Sequence, residues 1–546
     1  MPITDNDIRF RASERMTDFD DGGGRMSDVI ILDGVDNNVF PDVTDIERLT
    51  GKVSLRKVYA GAFNADTDTF LSSHTVLDIP PVDDDTHSVV FSYGGLSTER
   101  DEADAALAAG APDALQIAFD SGAVFSCSAE WTGGGTSVTL TRIFLSDGFW
   151  SAFSIGQTIS LTVAGVRHLV VVTADAATEA VSVGLKTRAI SVTATPGAGA
   201  QTGTAVLLTT ATLRCHGVAE APGITSSGAT SITVDTTWAQ IIPADPALAY
   251  PVVEVPAWNI TALPHANTHG RAQAIAAGDA LLVHHTEAMA PDTVANSDVV
   301  DTGRTGLARL RVIGSTGVEH ARFTDGQDPP VGVGCTADLT AGTVTFTDVS
   351  GMAQPVTVEH RIEEMALATT VTLTTVNLNR ALSREYPAGT RVSSLLMVGD
   401  LQGRATAGFA QQAWTGVWSD AIIGGTPVGD FNDAAHPIAC TNAGAVTERW
   451  AAIFTNTTSY RVIGETLGEI GTGSTGGDFE PLNPVTGEPY FSLAAVGWGA
   501  GWAAGNVYRF NTIGAVAPVW ALRCVAPSTP SGDDSVTLEL RGYVNT

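Results

Sequence analysis

The chain has 546 residues, 59 of them acidic against 29 basic, for a formal net charge of -30. A surface of that sign repels phosphate, which argues against nucleic acid or anionic membrane as partners. With 44% apolar residues, 57 glycines and only 16% charged residues, a disordered or coiled-coil chain is excluded, and at roughly 150 residues per domain the length suits three or four domains.

Residues 1–95 begin with a polar segment and the turn-prone DDGGG, followed by DVIILDG, KVSLRKVYAGAF, DTFLSSHTVLDIPPV and SVVFSYG. Apolar alternation between acidic turns predicts an N-terminal β-rich domain there. STERDEADAALAAG predicts a short helix: Thr98 suits its cap, Glu99, Asp101 and Glu102 its positive first turn, and Gly110 its end. The helix opens a second unit over 96–245. In it SVTLTRIFL, TISLTVAG, RHLVVVTA, EAVSVGL, RAISVTAT and TAVLLTTATLRC recur between Gly-rich turns and predict a β-barrel or sandwich.

IIPADPALAYPVVEVP places four prolines in sixteen residues, which predicts a stiff extended linker over 246–258. A central β-rich domain follows over 259–430. Its clearest element is a hairpin in which CTADL turns through Thr340, Ala341 and Gly342 into TVTFTDVS. The last segment, 431–546, is rich in glycine and aromatics and predicts a further β-domain. No repeat of about 20–50 residues is present, which argues against a solenoid or propeller. The expected fold is therefore mainly β: several sandwich- or barrel-like domains in one chain with a few short helices.

Cys127, Cys215, Cys335, Cys440 and Cys524 lie far apart with no C-x-x-C pair, so reduced, buried thiols and a reducing compartment are expected. The N-terminus lacks the basic-then-apolar pattern of a signal peptide, and no window approaches the ~18 apolar residues of a spanning helix. A soluble protein is the expectation.

The segment Leu263–Met289 gathers His265, His269, His284 and His285, with Glu287 close behind. Zinc needs three or four such ligands in tetrahedral array. Yet Pro264, Asn267 and Gly270 argue against a helix that would align His265 with His269. Adjacent His284 and His285 point to opposite faces of a strand. Hydrogen-bonding roles are expected instead, with no metal or cofactor. NADTDTF, Asn64–Phe70, has alternating oxygens but lacks the glycine and glutamate of an EF-hand loop, as do DGVDNN from Asp33 and VDDD from Val82. GTGSTG, Gly471–Gly476, matches a dinucleotide fingerprint in letters only; Pro481 and Pro484 forbid the helix it must open, and a flexible loop is expected. No G-x-S-x-G, Walker A or H-E-x-x-H motif occurs, so no catalytic residue is assigned. Trp498, Trp502, Tyr508, Phe510 and Trp520 are expected in cores or interfaces rather than as a sugar platform.

Several long phrases occur together: SLRKVYAGAFNADTDTFLSSHTVLDIPP, LLVHHTEAM, GCTADLTAGTVTFTDVSGMAQPVTVEHRIEEM, LNRALSREYPAGTRVSSLLMVGDLQGR, and the run from ERWAAIFTNTTSYRVIGE to GWGAGWAAGNVYRFNT. They resemble the large virion structural proteins of Mu-like transposable tailed bacteriophages, those of the tail or its baseplate. The resemblance spans about three quarters of the chain and is weakest from Ala111 to Pro256. It implies a non-enzymatic baseplate subunit of a siphophage virion, assembled in the host cytoplasm, that connects or orients tail-tip and fibre components during host attachment. Its implied partners are copies of itself, in trimer- or hexamer-related symmetry, and other tail, baseplate or fibre proteins. The alternatives are a tail protein that grips a glycan or pilus receptor through residues 111–256, and a metal-dependent hydrolase using the histidine window.

Overall fold

Strands account for 51% of the chain and helix for 3%, as the abundance of Val and Thr and the scarcity of Lys predict. The computed structural model describes residues 3–103, 114–120, 126–143, 158–241, 270–525 and 534–544, with short interruptions at 20, 51, 84–85, 101, 164–165, 183–184, 194, 214–215, 236–237, 274, 327–330, 333 and 373. The linker expected at 246–258, together with His265, His269 and Cys215, lies outside the described residues.

An N-terminal antiparallel sheet runs in the order Gly23–Ile31, Ile8–Arg15, Lys52–Ala62, Val516–Val525, Thr86–Phe91. Its fourth strand thus comes from the far end of the chain. A smaller sheet repeats the device: Phe70–Ile79 lies between Leu396–Leu401 and Thr537–Val544. Val58, Ala60, Leu77, Val90, Leu396 and Val519 form one core between the two. The segments read as 1–95, 259–430 and 431–546 therefore share sheets. The reason lies in burial: Val58, Tyr59 and Ala60 are all 0% exposed, so this strand is covered on both faces. A sequence pattern marks such burial without saying which distant strand supplies the edge.

The expected barrel is present. Thr158–Val163 bonds to both Val166–Ser182 and Gly199–Leu213, which closes a ring through Ser126–Gly133, Ser137–Ile143 and Leu185–Val192. Residues two apart fill its interior, Ala129 with Trp131, Val138 with Leu140, Ile159 with Leu161 and Ile190 with Val192, because alternate side chains of a strand face the same way.

A third large sheet runs Val218–Ala221, Thr390–Ser394, Ala280–Ala288, Val356–Val371, Arg309–Gly314, Glu319–Thr324, Val331–Gly332. Beside it the expected hairpin pairs Cys335–Asp338 with Thr343–Phe346. Gly342 closes this turn at φ +79°, and a Cβ there would lie 1.6 Å from the Arg304 carbonyl oxygen. Gly342→Ala is accordingly expected to cost at least about 2 kcal/mol, from left-handed strain plus overlap with backbone. Urea unfolding measures it, and a loss within experimental error would refute the packing described.

The C-terminal sheet joins Val507–Ile513, Glu448–Phe454, Ser459–Gly464 and Gly468–Ser474. Trp450, Phe454, Phe491, Trp502, Tyr508 and Phe510 are buried in its core, with Phe454 stacked on Trp502 at 4.1 Å. Trp520 is buried in the N-terminal sheet, so these rings do serve as core. One expectation needs correction: Gly471–Ser474 is strand, not flexible loop. A Cβ on Gly473 would sit 2.5 Å from the Tyr460 ring, so glycine here makes room for an aromatic neighbour. In the helix expected at 97–110, helical backbone begins at Arg100, and residues 104–110 lie outside the described set. The helix Asp45–Thr50 was not expected.

Candidate functional site

The strand Ala280–Ala288 carries the described half of the histidine window and pairs with Val356–Val371, His284 opposite Glu363 and Glu287 opposite His360. Alternation sends His284 and His285 to opposite faces. The face of His285 continues into the core of Leu281, Val283, Leu310 and Ile362. The face of His284 meets the Phe70–Ile79 sheet, and there the charged side chains converge.

Arg361 Nη1 lies 2.7 Å from Asp78 Oδ1, and its Nε lies 2.8 Å from Glu363 Oε2. Arg541 donates to Glu363 at 2.9 Å and to Glu539 at 2.6 Å. Arg309 donates to Glu539 at 3.1 Å. The chain of pairs continues outward through Arg311 and Glu359 at 3.0 Å to Arg322 and Glu319 at 2.8 Å. Arginines 309, 311, 322, 361 and 541 thus balance Asp78, Glu319, Glu359, Glu363 and Glu539. In a chain of net charge -30 this seam is neutral, as burial demands.

The shared environment sets the titration of each member. Burial opposes ionisation of Glu363 and Glu539, but Arg541 and Arg361 outweigh it and hold both carboxyls below the usual range. Asp78 moves the other way, raised by burial and by Glu539 against the pull of Arg361. Burial, then Arg361 and Arg541, drives His284 well below its ordinary value, so its imidazole is neutral.

Ser393, His284 and Asp78 stand in the order of a hydrolase relay. His284 Nε2 is 3.0 Å from Ser393 Oγ, and Nδ1 is 3.4 Å from Asp78 Oδ1. The proton inventory runs the wrong way for catalysis. Ser393 donates its hydroxyl to the Leu77 carbonyl at 2.8 Å, so Nε2 must be the imidazole donor and Nδ1 carries the lone pair. A nucleophilic serine needs the reverse, with Oγ donating to the imidazole and Nδ1–H to the carboxylate. All three are sealed: Ser393 is 0%, His284 1% and Asp78 3% exposed. Ser393, bonded to His284 and to the Leu77 carbonyl, ties the two sheets together.

On the opposite face, His360 Nε2 lies 3.7 Å and Arg304 3.3 Å from Glu287. Among the described residues no three His, Cys, Asp or Glu side chains are grouped to hold a metal ion. Two oxygens of the Asn64–Phe70 loop are taken by one amide. Asn442 donates to Asn64 Oδ1 at 2.6 Å and to the Asp68 carbonyl at 2.7 Å.

Burial lowers His74, His284, His285 and His360 alike. Because each folded value lies below the unfolded ~6.5, the unfolded chain binds more protons as the pH falls. The stability they contribute is complete above pH ~6.5 and is lost as the pH drops through the folded values. In His284→Asn the loss of stability between pH 6.5 and 5 is expected to be shallower by about 1.4 kcal/mol per pH unit, one proton's worth. Urea unfolding across that range checks it, and parallel slopes would refute a neutral His284.

Lys57 is a second buried charge that sequence reasoning counted but did not assign. It is 0% exposed, and its Nζ donates to the carbonyls of Gly24, Gly95 and Leu96 at 3.0 Å and of Thr98 at 2.9 Å. Burial pushes its ammonium down to about 7, against the pull of Glu102, Glu14 and Glu99. Cys335, Cys440 and Cys524 are free, and burial raises all three thiols, Cys335 to about 11 and Cys440 to about 12, which makes them unreactive. Among the described residues no helix is long and apolar enough to cross a membrane. Comparison with protein-family models, with curated proteins and with solved structures found no match.

Proposed function

We propose that the chain is a non-enzymatic structural subunit of a bacteriophage tail baseplate, which connects or orients tail-tip and fibre components during host attachment. The resemblance of several phrases to Mu-like tail proteins supports this reading, and so does the use to which charged chemistry is put, as buried clamps between sheets. The observation that carries it is an unpaired apolar edge. Gly23–Ile31 closes one side of the N-terminal sheet; its outer edge is bridged at Gly23 to Glu99, and beyond that no strand pairs with it among the described residues. Val29 and Leu32, Val35 in the following loop and Ile46 and Leu49 on the short helix are about half or more exposed. Val82 adds to them, because Arg48 of that helix pairs with Asp83. In an assembled protein an exposed apolar patch of this kind is covered by a neighbour.

The partners are then copies of itself and other tail proteins, and the place is the virion, built in the host cytoplasm. The purified chain is expected to sediment as a symmetric oligomer, of trimer- or hexamer-related order, and to be present in purified tails by mass spectrometry. A strict monomer absent from tails would overturn the proposal.

A receptor-binding role is the second reading, favoured by Trp414 and Trp418, half-buried rings on a surface loop in edge contact at 4.9 Å. Arg509 lies 5.6 and 5.7 Å from their centroids. Particles carrying Trp414→Ala and Trp418→Ala that adsorb normally would remove it. Metal-dependent hydrolysis draws no support from His284 and His285, which face apart.

A further inference from the structure

Along Ile8–Arg15, Ile8 and Phe10 pack into the two N-terminal cores, so alternation leaves Arg9 and Arg11 on the other face. There they lie opposite Gly61 and Tyr59. A Cβ at Gly61 would come within 2.8 Å of the Phe63 ring. Its absence lets that ring lie against the strand, 4.8 Å from the Arg11 guanidinium and 5.9 Å from that of Arg9. Across from them stand Ala443, Thr486 and Glu488, enclosing a half-open cleft of about 160 Å³. Its walls are fixed. Ala443 N donates to the Asn64 carbonyl at 3.0 Å, Asn442 N to that of Asp66 at 2.8 Å, and Asn483 Nδ2 to that of Gly444 at 3.1 Å.

Elsewhere many of the arginines are paired with acids. Arg48, Arg56, Arg361, Arg449 and Arg541 each have a carboxylate within 4 Å. Arg9 and Arg11 have none among the described residues. Arg11 is only 8% exposed, and its one hydrogen bond goes to the Asp28 carbonyl at 3.1 Å. Arg9 donates to the Asn6 carbonyl. The Nε atoms of both arginines and Thr486 Oγ1 are buried without a partner. Unpartnered buried polar atoms also occur at Arg509 and Arg523, but here three of them surround an open cleft beside two arginines without a carboxylate, where an anion would supply the acceptors. Two adjacent positive charges call for two negative ones, and guanidinium forks match the oxygens of a tetrahedral oxyanion.

We propose that this cleft binds a doubly charged tetrahedral oxyanion, a phosphate or sulfate group, held by Arg9 and Arg11 with Thr486 as a third donor. Glu488, on the rim, is the competing intramolecular anion. The experiment is calorimetric titration of the full chain with inorganic phosphate, and separately with sulfate, at pH 7.5 against sodium chloride of equal ionic strength. Saturable binding is expected with both oxyanions and not with chloride. Arg11→Gln is expected to weaken it at least tenfold, Thr486→Val several-fold, and Glu488→Gln to tighten it. Heat that chloride reproduces, or an Arg9→Gln, Arg11→Gln chain that binds phosphate as tightly as the parent, overturns the proposal. Should that double variant fail to fold, Thr486→Val decides, and unchanged affinity there overturns it equally.

Discussion

Arg361→Met is expected to destabilise the fold by about 3–5 kcal/mol, because it leaves the buried Asp78 carboxylate without its cation. Arg361 is 1% exposed and contacts Asp78, Glu363 and Glu539. Removing the cation leaves three acids, Asp78, Glu363 and Glu539, against Arg541 and Arg309, with Asp78 sealed from water at 3% exposure. Removing an anion as well should restore much of the loss, since a well-packed neutral pair is often no worse than the ion pair it replaces. Arg361→Met with Asp78→Asn is therefore expected to be more stable than Arg361→Met alone. Urea unfolding of the two variants measures the difference. A loss below about 1 kcal/mol for the single change is the behaviour of a solvated surface pair and would refute the buried seam.

The seam was half legible in sequence. Alternation within LLVHHTEAM sends the two histidines to opposite faces, and that much follows from strand geometry. The charge pattern of VTVEHRIEEM and TLELRGYV is also visible: Glu359, Arg361 and Glu363 are two apart, as are Glu539 and Arg541, so each strand presents alternating sign on one face. What the letters do not carry is that these two stripes meet. Asp78, Arg361 and Glu539 are hundreds of residues apart, and their meeting depends on the Phe70–Ile79 sheet packing on the His284 face. Similarly, Lys57 stands beside apolar residues, a signal of burial, but its four carbonyl acceptors come from Gly24 in the strand Gly23–Ile31 and from the 95–98 segment, which no local pattern addresses.

The same distinction holds for the fold. The barrel was readable because its ring is contiguous from Ser126 to Leu213 and its inward residues repeat at a spacing of two. The Asp45–Thr50 helix could have been found. Thr44 and Glu47 form reciprocal bonds, Thr44 N to Glu47 Oε2 at 2.9 Å and Glu47 N to Thr44 Oγ1 at 3.3 Å, which is the capping-box signature T-x-x-E. The brevity of the helix hid it. Gly471–Ser474 was misjudged because glycine signals freedom when no neighbour is known, whereas Tyr460 lies across it and requires a residue without a side chain.

A chain ending at Gly514 is expected to lose the N-terminal sheet altogether, although residues 1–95 would be intact. Lys52–Ala62 and Thr86–Phe91 both hydrogen-bond to Val516–Val525 and not to each other. Val519, Trp520, Leu522, Cys524 and Val525 of that strand are 2% exposed or less. At about 1.5–3 kcal/mol for each large apolar side chain removed from water, their loss rivals the total stability of a domain, about 5–15 kcal/mol. The barrel gives the contrasting result, since its ring closes without either end of the chain. Limited proteolysis of the truncated chain should therefore digest 1–95 while sparing 126–213, and equal protection of both would sink the interleaved arrangement. Contacts between residues 52–62 and 516–525 span most of the chain, so the N-terminal sheet is expected to form after the more local barrel. The exposed apolar edge at Gly23–Ile31 belongs to that sheet, so the surface proposed for assembly is complete only on a folded subunit.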